Sequence, residues 1–336
     1  MGLLFSGTAA TVALLLTAAP ALQWKVVHHD RHASYDAVTV TPGGAVWVAG
    51  TRSGKPVLLK NLKRVTGPGF RVKRLASASD TRVWAFGTTR YARWDGKRWQ
   101  VKPWPYGRVD RAQSIGRNLW VIEDSTTFSG RAGWKARSTV RRLDGSVWRK
   151  VPTPIAIKGL DGKWAAGSVH GTAAMARWSG TTWRAVPIPA VPSSHAGQIS
   201  ELTDVAMDGE TGRIMAVGWT AWPCGTIKPA YCGETLLLSG YPGDWTFEVR
   251  KEPGIQPRAQ AEPDGRGGAW IVYDAKGAGS RFLHILPDGV EAGGFPAAPS
   301  RSATVRDLAV KLGSGSVWAV GGTPSRRDGS VWAFRP

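Results

Sequence analysis

The chain has 336 residues, 44 Lys and Arg against 24 Asp and Glu for a formal charge of +20, and unusually many glycines (42), prolines (22) and tryptophans (18). This composition points to many short strands joined by turns, and the length suits a closed repeat architecture without requiring two domains. The charge biases association toward anionic partners and does not decide the fold.

Residues 1–21 carry no charged side chain, hold an apolar run over 9–16 and end Ala19-Pro20-Ala21, which reads as a secretory signal peptide. No other stretch approaches the ~18 apolar residues of a membrane-spanning helix, so the mature chain, 22–336, is expected to be extracellular and to form one domain. It opens with the aromatic-led segment Gln23-Trp24-Lys25-Val26-Val27. His28-His29-Asp30-Arg31-His32 follows, with metal-like spacing if His28, Asp30 and His32 share one side of an extended segment. One short segment rarely completes a metal site, so no metal or other cofactor is assigned.

From there one phrase recurs, a Gly/Asp turn leading into an aliphatic-Trp strand that ends in small residues, as in Gly44-Ala-Val-Trp47-Val-Ala-Gly50. Its marker residues are Trp47, Trp84, Trp120, Trp164, Met215, Trp270 and Trp318, at intervals of 37, 36, 44, 51, 55 and 48 residues. Those intervals bracket the blade lengths of β-propellers. A second phrase lies downstream of most markers: a strand, a Gly turn and an aromatic-led strand, as in Ala92-Arg-Trp-Asp-Gly-Lys-Arg-Trp99 and Ala176-Arg-Trp-Ser-Gly-Thr-Thr-Trp183. Each blade therefore reads as strands A to D, with the marker on B and the second aromatic (Trp99, Trp148, Trp183, Trp245) on D. The copy in blade six has no Trp on strand D.

After the seventh marker the chain has room only for strand C, over 330–335. The segment at Trp24 supplies the missing strand D and closes the ring. The fold class predicted is all-β: a seven-bladed propeller of four-stranded antiparallel blades, whose N-terminal strand completes the last blade.

The pairing of Val-Trp-Ala-Val-Gly with Arg-Trp-Asp-Gly-x-x-Trp-x-x-Val-Pro resembles the repeats of secreted bacterial Trp-rich propellers, similar in turn to kelch/galactose-oxidase-like and tectonin-type propellers. The resemblance implies the fold and leaves function open, because propellers host binding proteins, lyases, oxidases and glycosidases.

Alternating connections put the B–C and D–A loops on one face, where the long excursions fall: 28–34, 103–109, 125–135, 187–198 and 219–233. Loops gathered on one face of a rigid scaffold are the default functional surface. They hold Trp104, Tyr106, Arg108, Phe128, Arg131, Trp134, Trp219, Trp222, Lys228 and Tyr231, aromatic and cationic groups suited to stacking on sugars and pairing with carboxylate or phosphate. Cys224 and Cys232 in an exported chain are expected to form a disulfide. Glu123 and Asp124 are the best acid/base candidates, and no Gly-rich phosphate loop, nucleophile elbow or zinc signature is present.

The function expected is non-catalytic binding by a monomer at the cell envelope, the partner being a cell-wall polyanion, a glycan or a protein, with no specific nucleic acid. The alternative is a hydrolase or lyase with its site at the central channel.

Overall fold

The computed structural model describes residues 24–115, 118–130, 133–224, 231–250, 259–275, 279–287, 289–291, 304–311, 314–322 and 328–334. They form seven four-stranded antiparallel sheets, the blades of a β-propeller, and contain no helix. The signal segment and the loop residues Arg131 and Lys228 lie outside the described residues, as do the side chains of Phe128, Trp134 and Tyr231.

The ring closes as its two ends require. Trp24–Asp30 pairs antiparallel with Gly329–Phe334, setting Trp24 opposite Phe334 and Val26 opposite Trp332, so the last sheet runs outermost strand first from the N-terminus. An exposed sheet edge is thereby covered.

The marker residues face outward from each blade onto the next. Trp47 meets Trp99 at 5.7 Å, Trp120 meets Trp183 at 5.5 Å, Trp164 meets Trp245 at 5.9 Å and Trp270 meets Trp24 at 5.4 Å, all edge to face. Trp84 shares one cluster with Trp148. The strand-B aromatic of one blade thus packs on the strand-D aromatic of its successor, an arrangement favoured by the ring quadrupoles. The two departures in the repeat meet at a single interface: Met215 of blade five packs against Ile271, Leu283 and Ile285 of blade six, the blade without a strand-D tryptophan.

The glycine that closes the marker phrase has a steric reason. Gly50, Gly167, Gly218 and Gly321 sit opposite a β-bulge in the inner strand, between Tyr35 and Ala37, Ile157 and Gly159, Leu202 and Asp204, and Val305 and Asp307. A Cβ at any of the four would drive into an inner-strand carbonyl oxygen, that of Glu201 in the case of Gly218. Gly218→Ala is therefore expected to destabilise by about 1–3 kcal/mol, as overpacking does, with Gly209→Ala, in open space, as the near-neutral control in urea unfolding.

Candidate functional site

The bulges turn inner-strand side chains toward the axis, where a cavity of about 530 Å³ opens among the ends of the A strands. Its walls come from 38–40, 75–77, 111–115, 160–162, 204–207, 261–263 and 308–311, with Gly209, Glu210 and Gly265 at its rim. These are the later halves of the inner strands and their A–B turns. The cavity therefore opens on the tight-turn face, opposite the long loops.

Charged groups converge there. Arg111 bonds Asp204 at 2.8 Å, and Asp204 also accepts the Ala261 amide of the next blade. Asp161 accepts the Met207 amide at 2.6 Å and the Gln113 side chain at 3.0 Å. Asp307 accepts the Val38 amide at 2.9 Å, so all three aspartates tie one blade to its neighbour. Glu262, facing the cavity, has no hydrogen-bond partner among the described residues.

Burial pushes the Asp161 carboxyl up to about 7, against the pull of the Met207 amide. It pushes Asp307 up to about 6, with Arg74 opposing. Glu262 lies well above the ordinary glutamate range, first through burial and then through the charges of Asp161 and Asp204. A cavity of this size with converging titratable groups can hold a small molecule, since ligand pockets run to ~300–1,000 Å³.

The other mouth is sealed by ion pairs. Asp36 meets Arg71 at 2.8 Å, Lys73 at 3.4 Å and Arg306 at 3.3 Å, while Lys158 meets Glu201 at 3.7 Å.

The loop face differs from the surface expected. The segments expected to loop at 125–135 and 219–233 extend two hairpins, Asn118–Gly130 with Gly133–Asp144 and Ile214–Pro223 with Tyr231–Tyr241. Trp219, at 2% exposure, points into the sheet interior because alternation along its strand places it with Val217. Trp104 is 3% exposed, its indole donating to the Gly107 carbonyl within the Phe86, Tyr91 and Trp148 cluster. Neither offers a stacking surface to a ligand. Tyr106 packs on the same cluster beneath the Arg141 guanidinium at 3.7 Å, Arg108 pairs with Asp110 at 2.8 Å, and Trp222 stacks on His195 at 3.9 Å. Cys224 and Cys232 are disulfide-bonded.

The histidine segment is also not a channel feature. It lies on the outermost strand of blade seven, where His28 bonds the Tyr35 hydroxyl, His29 contacts Asp328 and Ser330, and Asp30 pairs with Arg52. It laces the closing strand to blades seven and one, and no metal-holding group occurs among the described residues. Glu123 is buried against Arg141, and Asp124 accepts the Arg108 amide, both as local clamps away from the cavity. The channel acids carried a legible signal that spacing alone did not single out: a charge in the middle of a short apolar inner strand, as in Leu160-Asp161 and Ala261-Glu262.

Seven radial sheets around a polar channel define a seven-bladed β-propeller. The chain matches no protein-family profile and no curated protein sequence. Among solved structures it is similar to the N-terminal domain of Nup159 (11% identity, TM-score 0.57, 94% of this chain and 95% of that one). It is also similar to the extracellular domain of a putative one-component system from B. thetaiotaomicron (10% identity, TM-score 0.56, 92% of this chain and 39% of that one). A third likeness is to the GH74 xyloglucanase from Xanthomonas campestris (12% identity, TM-score 0.50, 92% and 55%). The chain therefore spans less than half of that sensor ectodomain and about half of the xyloglucanase. At these identities the likeness establishes the fold.

Proposed function

We propose that this chain is a secreted binding propeller that holds an anionic partner at the cell envelope. The leader-like segment 1–21 and the Cys224–Cys232 disulfide support export to an oxidising compartment. The observation that carries the reading is where the charge resides. Several acids are consumed internally by Arg71, Arg111, Arg141 and Lys158, whereas the outer strands present cations. Segment 55–65 has four Lys/Arg and no acid, 90–103 has five against Asp95, and 133–151 has six against Asp144. In blade five, 231–250 reverses this, with Arg250 against Glu234, Asp244 and Glu248.

Purified protein should sediment with purified cell wall at about 0.05 M salt and release by about 0.5 M, since exposed charges are screened over that range. Retention unaffected by salt, or none at low salt, overturns the proposal.

A second reading, a hydrolase or lyase at the channel, draws support from Asp161 and Glu262, acids held toward their protonated forms near ionised Asp204. Its test is release of new reducing ends or unsaturated products from envelope polysaccharides. Loss of that release in Glu262→Gln would establish it, and no turnover by the native protein would remove it.

A further inference from the structure

The repeat that builds the blade interfaces also lays out a row of cations at one height on the rim. The strand-C residue directly opposite the marker is Lys60 in blade one, Arg93 in blade two, Arg142 in blade three and Arg177 in blade four. One strand further out, the facing residues are Lys63, Gln100, Arg149 and Arg184. In blades five, six and seven the marker instead faces Ser239, His284 and Ala333. The row thus covers four consecutive blades and stops.

The fold has no use for this charge. Residues directly opposite on a ladder share a face, so Lys60 with Lys63, Arg142 with Arg149, and Arg177 with Arg184 are like-charge neighbours, which destabilises a sheet. Ser239 and Ala333 show that the position tolerates a neutral side chain. Lys60, Lys63, Arg93, Arg177 and Arg184 have no acidic partner among the described residues, while Arg149 has Asp144 at 3.0 Å. The side chains are nevertheless held in place. The Lys60 ammonium lies 5.2 Å from the Trp47 ring, Arg142 lies 5.7 Å from Trp120 and 5.5 Å from Trp178, and Arg177 lies 5.4 Å from Trp164. Tryptophan faces below fix the stems and leave the charged heads outward.

We propose that this row is a track for a flexible linear polyanion, with phosphate or carboxylate at each repeat, that wraps the rim across blades one to four. The inference rests on the envelope-binding reading and names the surface that performs it. Shape selects the partner. The rim is convex, so a flat anionic membrane would touch it along one line and engage one or two blades, whereas a flexible chain can follow all four. A nucleic acid duplex is too stiff to follow such a curve, with a persistence length of ~50 nm, and a single strand wants exposed aromatic platforms. Here the tryptophans lie beneath the cations.

The test measures binding of long-chain inorganic polyphosphate, with tripolyphosphate as the short probe. Native protein should bind the long chain roughly 100-fold more tightly than the short one, as expected when several blades engage together. The variant Lys60→Gln/Arg93→Gln/Arg142→Gln/Arg177→Gln should lose most of that advantage. A control of equal charge, Arg31→Gln/Lys55→Gln/Lys102→Gln/Arg108→Gln, should keep it. Relief of like-charge contacts predicts that the rim variant melts no lower than native, so lost binding is not lost folding. Equal weakening of rim variant and control, or no dependence on polymer length, overturns the track and leaves the envelope reading standing. Failure of the native protein to bind either probe or cell wall at low salt removes both.

Discussion

Replacing Trp24 with Ala should lower the unfolding free energy by about 3–5 kcal/mol, the usual loss for removing a buried tryptophan. Trp24 is 4% exposed and touches Trp270 at 5.4 Å, Phe282 at 4.4 Å and Phe334 at 5.8 Å. The first two belong to blade six and the third to its own blade, so one side chain pins the closing strand to two blades. The cavity left behind lies at the one place where the ring is joined by non-neighbouring chain ends, and blade seven loses the residue that anchors its outer strand. Trp222→Ala is the matched control. Trp222 sits at the edge of the extended hairpin against His195, and its loss should cost less than about 1 kcal/mol, as peripheral changes usually do. Urea denaturation of both variants decides the matter. Equal, small losses would mean that the N-terminal strand does not close the fold.

Stability should fall as pH rises from about 4 to 7, and Asp161→Asn should abolish part of that fall. A carboxyl whose pKa is higher in the folded chain than in the unfolded one binds its proton more tightly in the fold. Folding is then penalised once the pH passes the unfolded value, and the penalty levels off above the folded value. Burial raises Asp161 from the ordinary aspartate value to about 7, which corresponds to a penalty of about 4 kcal/mol at pH 8. Asparagine keeps the shape and an acceptor for the Met207 amide, and a turned Gln113 amide can accept from its new donor. The variant should therefore match native protein at pH 4 and exceed it by a few kcal/mol at pH 8. Below pH 4 the trend reverses for both. Asp36 is held low by Arg71, Lys73 and Arg306 against its burial, and Asp208 by amides of its turn, and protonating them removes stability that is present above the unfolded aspartate value. A variant no more stable than native protein at pH 8 would show that Asp161 is not held neutral by its surroundings.

The blade count, the strand order and the closing pair were legible because tryptophan recurs at one register position and the two chain ends supply complementary strands. The glycine of the marker phrase was legible as a pattern, but its reason lies in an inner-strand bulge, which local sequence does not announce. Trp104 and Trp219 were misjudged for a related reason. A tryptophan outside the repeat looks free for a ligand, yet alternation within a lengthened hairpin turns Trp219 inward, and the turn at Gly107 folds Trp104 onto Trp148. The channel acids stayed hidden because each blade contributes only one or two polar groups, and only seven-fold closure brings Asp161, Asp204, Glu262 and Asp307 together. The rim cations stood in the second phrase, as the Arg before Trp94 and Trp178 and after Trp148 and Trp183. Their meaning depended on register, which places them opposite one another.

Backbone amide exchange with and without long-chain polyphosphate tests most directly where this propeller grips its partner. The rim track predicts slowed exchange in the outer strands of blades one to four, centred on residues 59–64, 92–100, 141–150 and 176–185. Slowing confined to the loops at 103–109 and 187–198, or to the cavity strands around Asp161 and Glu262, would contradict it.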